Sequence, residues 1–210
     1  MVGICNEISD QCAPLVLIIS GPTGAGKTTL CHGLIAKFPK HIAAAVTTTT
    51  RLPRVGEVDG VDYYFTSKEA FCQRIAEGKF LEYSTVHNDH FYGISDEEIS
   101  RHFSSGRDIL LNMNVDGAMK LKQLSKSRSS AIFYCRVITI FLLPPPMDEV
   151  MRRIQMRGPM SIEEWERRQK SIHSEMSMAQ FYDYSIQPDT REKMVDYLLN
   201  IYKNARNDIS

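Results

Sequence analysis

Apolar positions follow two rhythms along this chain, and their alternation predicts the fold. Leu15-Val16-Leu17-Ile18-Ile19 is an unbroken apolar run, as in a strand buried on both faces of a parallel sheet. Thr28–Lys37 follows with Leu30, Leu34 and Ile35 at helical spacing. Ala43–Val46 reads as a short strand, Ile109–Asn114 as another, and Arg136–Leu143 as a strong one that Pro144-Pro145-Pro146 stops. Helices are expected through Met119 and Leu121, over Asp148–Arg157 up to Gly158-Pro159, and from Ser161 to about Met178. After a short strand at Tyr184–Ile186, residues 190–206 carry Met194, Tyr197, Leu198 and Ile201 on one helix face. Capping boxes at Thr66–Glu69, Ser95–Glu98 and Ser161–Glu164 mark three helix starts. The alternation argues an α/β protein with a parallel core sheet.

One stretch breaks the rhythm. From Thr47 to Tyr92 the chain is polar and aromatic, with Gly56 and Gly60 as turn points and Tyr63-Tyr64-Phe65 and Phe80–Val86 as extended runs. It reads as an inserted lobe. The expected division is a core of residues 14–46, 94–150 and 180–207, a lobe over 47–93, a further helical region over 151–179, and a fraying segment over 1–13.

The chemistry lies in the turn after the first strand. Gly21-Pro22-Thr23-Gly24-Ala25-Gly26-Lys27-Thr28 fits the phosphate-loop pattern G-x-x-x-x-G-K-S/T. Strand, glycine loop and helix are the setting that pattern needs. The glycines let backbone N–H groups turn toward phosphate oxygens, and the helix N-terminus adds partial positive charge. Gly21, Thr23, Gly24, Ala25, Gly26, Lys27, Thr28 and Thr29 are the candidate ATP-binding residues. Lys27 supplies a full charge, and the Thr28 hydroxyl is the candidate Mg²⁺ ligand.

Composition narrows the rest. The 210 residues carry no formal net charge and are 43% hydrophobic, which suits a soluble globular protein and gives no pull toward nucleic acid or an anionic membrane. Five cysteines lack metal spacing, an expectation of reduced thiols and a cytoplasmic setting. His87 and His90 form H-x-x-H without cysteine partners, which argues against zinc. No apolar run approaches the roughly 20 residues of a membrane span, and residues 1–13 lack a secretory pattern.

A second constellation narrows the class. Thr47-Thr48-Thr49-Thr50-Arg51-Leu52-Pro53-Arg54-Val55-Gly56-Glu57, then Gly60-Val61-Asp62-Tyr63-Tyr64-Phe65, Phe80-Leu81-Glu82-Tyr83, Tyr92-Gly93 and the stretch Arg153 to Arg168 stand in order along residues 14–200. Together they resemble the guanylate kinase signature. Arg51 and Arg54 flank a proline, and two guanidiniums in an extended turn suit one phosphate. The resemblance implies a phosphate-loop NTPase fold of three α/β/α layers, an inserted mixed-β GMP-binding lobe and a helical lid over 151–179. It implies that MgATP phosphorylates GMP, and dGMP too. It assigns Arg51, Arg54, Tyr63 and Tyr92 to the GMP phosphate, Glu82 to guanine N1–H and the 2-amino group, Thr47 to O6, and Asn114 to the base. Lys27, Arg153, Arg157 and Arg168 become the catalytic cations. The expected partners are ATP and GMP alone, in a monomer or weak homodimer.

Four positions depart from that pattern. Asn112 and Asn114 stand where carboxylates are usual, Ile94 where a Ser or Thr helps hold the GMP phosphate, and Pro188 where an asparagine reads adenine. Ser95 is the candidate replacement for the missing hydroxyl, and Pro188 implies looser donor selection. Guanylate-kinase-like chains that lost catalysis and bind proteins are the alternative class, as is a kinase for another monophosphate. The retained Gly21, Gly26, Lys27 and Thr28 favour the enzyme.

Overall fold

The apolar run Leu15–Ser20 forms β1, the central strand of a five-stranded sheet, and every residue of it is buried. Alternate side chains serve opposite layers, as period-2 geometry requires. Leu15, Leu17 and Ile19 pack against α1 (Lys27–Lys37) and the C-terminal α7 (Arg191–Asn207), whereas Val16 and Ile18 pack against α3 (Asp96–Ser104) and α4 (Val115–Leu124). Helices thus cover both faces, which gives the expected three layers. The structure, a computed structural model, describes residues 14–86, 90–127, 132, 135–156, 158 and 160–207. Residues 1–13, Cys5, Cys12, His87, Arg157 and Pro159 lie outside the described residues.

The core sheet runs β2 (Ile42–Ala44), β7 (Asp108–Asn112), β1, β8 (Arg136–Leu142), β9 (Tyr184–Ile186), with parallel pairing throughout. A second, mixed sheet follows the order β4 (Tyr64–Phe65), β3 (Thr48–Thr49), β6 (His90–Ser95), β5 (Phe80–Val86). It lies in the stretch read as an insertion. Under it Phe71 of α2 (Lys68–Ala76) stacks on Phe80 at 4.3 Å and on Phe91 at 5.4 Å between ring centroids. The helices α5 (Met147–Gln155) and α6 (Ile162–Ser177) share a small apolar cluster of Val150, Ile154 and Ile172, flanked by Met147, Met160 and Trp165.

Several expectations shift. The capping box at Thr66–Glu69 starts one residue later: Ser67 caps α2 by accepting the Ala70 N–H, so Thr66 stays in the preceding turn. The second strand lies at Ile42–Ala44 rather than Ala43–Val46, because Val46 leaves the sheet to donate its N–H to Glu98 Oε1 at 2.9 Å. The strands at Thr48–Thr49 and His90–Ser95 carry no strand-like apolar rhythm and were not expected as elements.

Two buried carboxylates tie the layers together. Asp108 at the start of β7 accepts from the Leu15 N–H (3.1 Å), Tyr202 Oη (2.8 Å) and Arg206 Nε (2.7 Å), which locks α7 to the sheet. Glu98 on α3 accepts from Val46 N–H, Arg101 (2.8 Å) and His102 (3.1 Å) where the two sheets meet.

Candidate active site

β1 ends at Ser20, and the chain turns through the glycine loop into α1. Gly21 sits at φ 137° against the Leu142 carbonyl, a position that admits no side chain. Gly26 is the N-cap of α1 at φ 101°, a left-handed geometry that glycine adopts without strain. The resulting loop turns N–H groups and the positive end of α1 toward one cavity. Lys27 Nζ folds over the loop and donates to the carbonyls of Gly21 (2.6 Å) and Pro22 (3.0 Å).

That cavity has a volume of about 300 Å³ and joins both candidate sites. From the loop it takes Gly21, Thr23, Gly24, Gly26, Lys27, Thr28 and Thr29; from the second sheet and its connections it takes Thr47, Arg51, Arg54, Tyr63, Glu82 and Tyr92; of the other expected residues Asn114 and Arg168 line it too. Ala25 does not line it: its side chain is buried in the core, and its N–H donates to Pro22. Arg153 reaches the loop another way, from Nη1 to the Gly24 carbonyl at 3.1 Å, while Glu149 holds its Nε at 2.7 Å. Arg168 is held by Glu164 one helical turn back.

The two arginines of the loop after β3 are organised by Glu57. Its Oε1 pairs with Arg51 Nη2 at 2.9 Å and its Oε2 accepts the Arg54 N–H at 2.7 Å. Arg51 Nε also donates to Tyr92 Oη at 3.2 Å, and its guanidinium carbon lies 5.3 Å from the Tyr63 ring centre. Burial and the neighbouring Tyr92 raise the Tyr63 hydroxyl above its usual value, so it stays a proton donor. Two guanidiniums and two phenols therefore face one spot, an arrangement that fits a dianionic phosphate.

At the other end sits Glu82, 4% exposed on β5. Burial raises its carboxyl to about 7 even with Lys120 opposing the rise. Lys120 Nζ stands 3.4 Å from Glu82 Oε1, yet Oε1 has no hydrogen-bond partner among the described residues. A buried unpaired acceptor is costly unless something fills it. Asn114 does double duty. As N-cap of α4 its Oδ1 accepts the Gly117 N–H at 2.7 Å, while its Nδ2 donates to Ser84 Oγ at 2.8 Å.

The departures have definite places. Asn112, at the end of β7, donates Nδ2 to Thr28 Oγ1 at 3.1 Å. Ile94 is fully buried in the core. Ser95 does not replace the missing hydroxyl: it is the N-cap of α3, accepting from Glu98 N–H, and it does not line the cavity. Pro188 is exposed between β9 and α7. Ser84, His90, Met113 and Glu175 also line the cavity and were missed. Ser84 and His90 carried a signal: on β5 and β6 they alternate with the expected Glu82 and Tyr92 at period 2.

Thr28 is the one hydroxyl assigned to a metal, and its neighbour is neutral. Among the described residues no group of three or more His, Cys, Asp or Glu could hold a metal ion on its own. Mg²⁺ tolerates such a site because it keeps waters and arrives on nucleotide phosphates. Thr28 Oγ1 with Asn112 beside it fits an ion delivered that way.

Similarity to known proteins decides the family. The family model described as guanylate kinase matches residues 14–205. The chain belongs to the guanylate kinase family. It is 38% identical to the guanylate kinase of Caldanaerobacter subterraneus subsp. tengcongensis over 87% of this chain and 83% of the relative. It is 37% identical to that of Clostridioides difficile, over 93% of this chain and 90% of the relative. The crystal structure of guanylate kinase from Anaplasma phagocytophilum superposes with a TM-score of 0.69 at 27% identity, covering 93% of this chain and 87% of that one. Among the described residues no helix is long and apolar enough to cross a membrane.

With Glu82 in the role the sequence implies, accepting from guanine N1–H and the 2-amino group, ligand binding is expected to be pH-dependent. The ionised carboxylate accepts from both groups, whereas protonation turns one oxygen into a donor and leaves an acceptor for only one of them. GMP affinity is expected to fall by close to tenfold per pH unit below about 7, as read by isothermal titration between pH 6 and 8. Glu82→Gln, weaker throughout, should lose that slope; an equal slope in the variant would remove Glu82 from the account. The stability sign is opposite. The folded value lies above the ordinary 4.5, so the free protein gains stability as pH falls from about 7 toward 4.5 and loses it as pH rises through 7.

Proposed function

We infer that this chain is a guanylate kinase, transferring the γ-phosphoryl group of MgATP to GMP, and to dGMP too, with ADP and GDP (or dGDP) as products. The observation that carries the reading is the single cavity shared by Lys27, Arg51, Arg54 and Glu82. It supports a donor phosphate site and an acceptor nucleotide site in one chamber. The proposed division is the core over 14–46, 94–150 and 180–207, the GMP lobe over 47–93, and a lid over 151–179. The separate apolar cluster of α5 and α6 supports a lid that moves as a unit.

In this reading the loop N–H groups and Lys27 hold the donor's β- and γ-phosphates. Lys27 leaves the Gly21 and Pro22 carbonyls to do so. Arg51, Arg54, Tyr63 and Tyr92 seat the GMP phosphate, and Glu57 presets the two guanidiniums before it arrives. Glu82 and Thr47 orient the base. A GMP phosphate oxygen attacks the γ-phosphorus in line as the bond to the ADP oxygen breaks. Arg153, Arg168 and Arg157, the last outside the described residues, spread positive charge over the transferring group. Closure excludes water and suppresses ATP hydrolysis. Thr28 would help hold Mg²⁺ arriving with the nucleotide, and the ion would supply charge neutralisation on the donor. The setting is cytoplasmic, and the partners are the nucleotide substrates, in a monomer or weak homodimer.

The test is ADP release with a panel of monophosphates. GMP and dGMP are expected to drive it, with AMP and UMP near background. ADP release indifferent to the monophosphate overturns the reading.

Asn112 sets a second expectation. An aspartate there would accept the Thr28 hydroxyl proton, leave the oxygen's lone pairs to the ion and add charge. Asn112→Asp should therefore lower the Mg²⁺ concentration for half-maximal rate by about tenfold. A Mg²⁺ titration at fixed ATP that superposes on wild type counts against Asn112 as the weak point.

A further inference from the structure

To accept from both guanine N1–H and the 2-amino group, Glu82 has to be ionised. It is buried on β5, where loss of hydration favours the neutral acid. A cation close by is what can hold the charge in such a place. β5 is the edge strand of the second sheet, and α4 packs along it.

One face of α4 carries Asn114 at its N-cap, Gly117 a turn later and Lys120 a turn beyond that. Gly117 makes room for the carboxylate, since a side chain there would come within 2.9 Å of Glu82 Oε2. Lys120 supplies a full charge. Its Nζ donates to the Tyr83 carbonyl at 2.7 Å, lies 5.8 Å from the Tyr83 ring centre and stands 3.4 Å from Glu82 Oε1. The Tyr83 contacts fix the ammonium beside Oε1 without taking that oxygen, which has no hydrogen-bond partner among the described residues. Two charged groups act on the Glu82 carboxyl, both from α4: Lys120 favours ionisation and Asp116 opposes it. Asn114 and the register partner Ile94 on β6 are neutral. Lys120 does not line the cavity.

We propose that Lys120 is a positioning residue of the acceptor site: pinned to β5 from α4, its ammonium holds Glu82 as the carboxylate that reads the purine base, without touching the nucleotide. The proposal rests on the acceptor site described under the proposed function, in which Glu82 faces guanine. The side chain of Lys120 is half-exposed, so shortening its reach or removing its charge opens no hole in the core.

The experiment is the GMP dissociation constant, from isothermal titration at pH 6, 7 and 9, for wild type, Lys120→Met and Lys120→Arg. Methionine keeps most of the stem and removes the charge. An opposite charge at this range, partly screened by water, moves a carboxyl by about one pH unit. The wild-type inflection near 7 is therefore expected to rise by about one unit in Lys120→Met. Its affinity for GMP then lies about tenfold below wild type at pH 6, about fivefold below at pH 7 and level with it at pH 9. Lys120→Arg restores the charge and is expected to follow the wild-type profile to within about twofold. A loss that is equal at all three pH values means that Lys120 only ties the sheet edge to α4, and overturns the proposal. A Lys120→Met profile that superposes on wild type overturns it as well. Either result leaves the guanylate kinase reading standing. A flat wild-type profile, with Glu82→Gln binding GMP as tightly, overturns the base-reading role of Glu82 and the proposal with it.

Discussion

Lys27→Ala lowers kcat by about 10³-fold or more while the fold stays intact. Lys27 is the first residue of α1, and its ammonium bridges the Gly21 and Pro22 carbonyls across the loop. Gly21 lines the open cavity and the Pro22 carbonyl keeps the Ala25 N–H, so the ammonium is lost at little cost, and the melting temperature should move by only a few degrees. Catalysis has no substitute for it. In the proposed reaction the lysine's charge acts on the transferring phosphoryl group, whose charge is redistributed on the way to the transition state. Its loss therefore appears in kcat more than in either KM. Steady-state rates with ATP and GMP varied in turn, alongside a thermal melt, make the check. A variant that keeps a tenth of the wild-type kcat would move the chemistry away from this loop.

Local patterns and long-range pairings were not equally readable in the chain. β1, β5 and β9 lie where the apolar runs placed them, because each run is bounded by turn residues. The caps at Ser95 and Ser161 were legible because an N-cap acts within three residues. Thr66 and Ser67 compete for one cap, and only packing of Phe71 beneath the second sheet decides between them. Arg51, Arg54, Tyr63 and Tyr92 were found through a dense ordered motif. Their organiser Glu57 stood in that motif without a role, since its contacts turn back on its own loop. Ser84 shared a strand face with Glu82, but its bond to Asn114, and the approach of Lys120 to Glu82, left no mark, because each partner lies on an element distant in sequence. The same holds for Asp108, whose partners at Leu15, Tyr202 and Arg206 are 93 or more residues away. The missing hydroxyl at Ile94 invited a neighbour's help, but Ser95 was already needed at the helix end.

Glu98→Ala destabilises the protein by about 3 kcal/mol, because it strips a buried acceptor from several donors at once. Its carboxylate takes the Val46 N–H, Arg101 and His102, with Tyr64 Oη at 3.4 Å. Arg101 is largely exposed and recovers water, so the cost falls on the Val46 amide and on His102. For a chain of this length the melting temperature should drop by roughly 9 °C. Burial opposes ionisation of Glu98, yet the hydrogen bonds from His102, Val46 and Arg101 outweigh it and hold the carboxyl at about 2. That value lies below the ordinary 4.5, so the stabilisation is present above about 4.5 and disappears as pH falls from there through 2. Glu98→Gln should flatten that part of the acid-unfolding profile. Val46 precedes Thr47 and Tyr64 follows Tyr63, so loosening this corner should also raise the KM for GMP with little change in that for ATP. A Glu98→Ala protein melting within 2 °C of wild type, with an unaltered KM for GMP, would mean that the corner is held by packing of Ile94 and Ile99 rather than by this carboxylate.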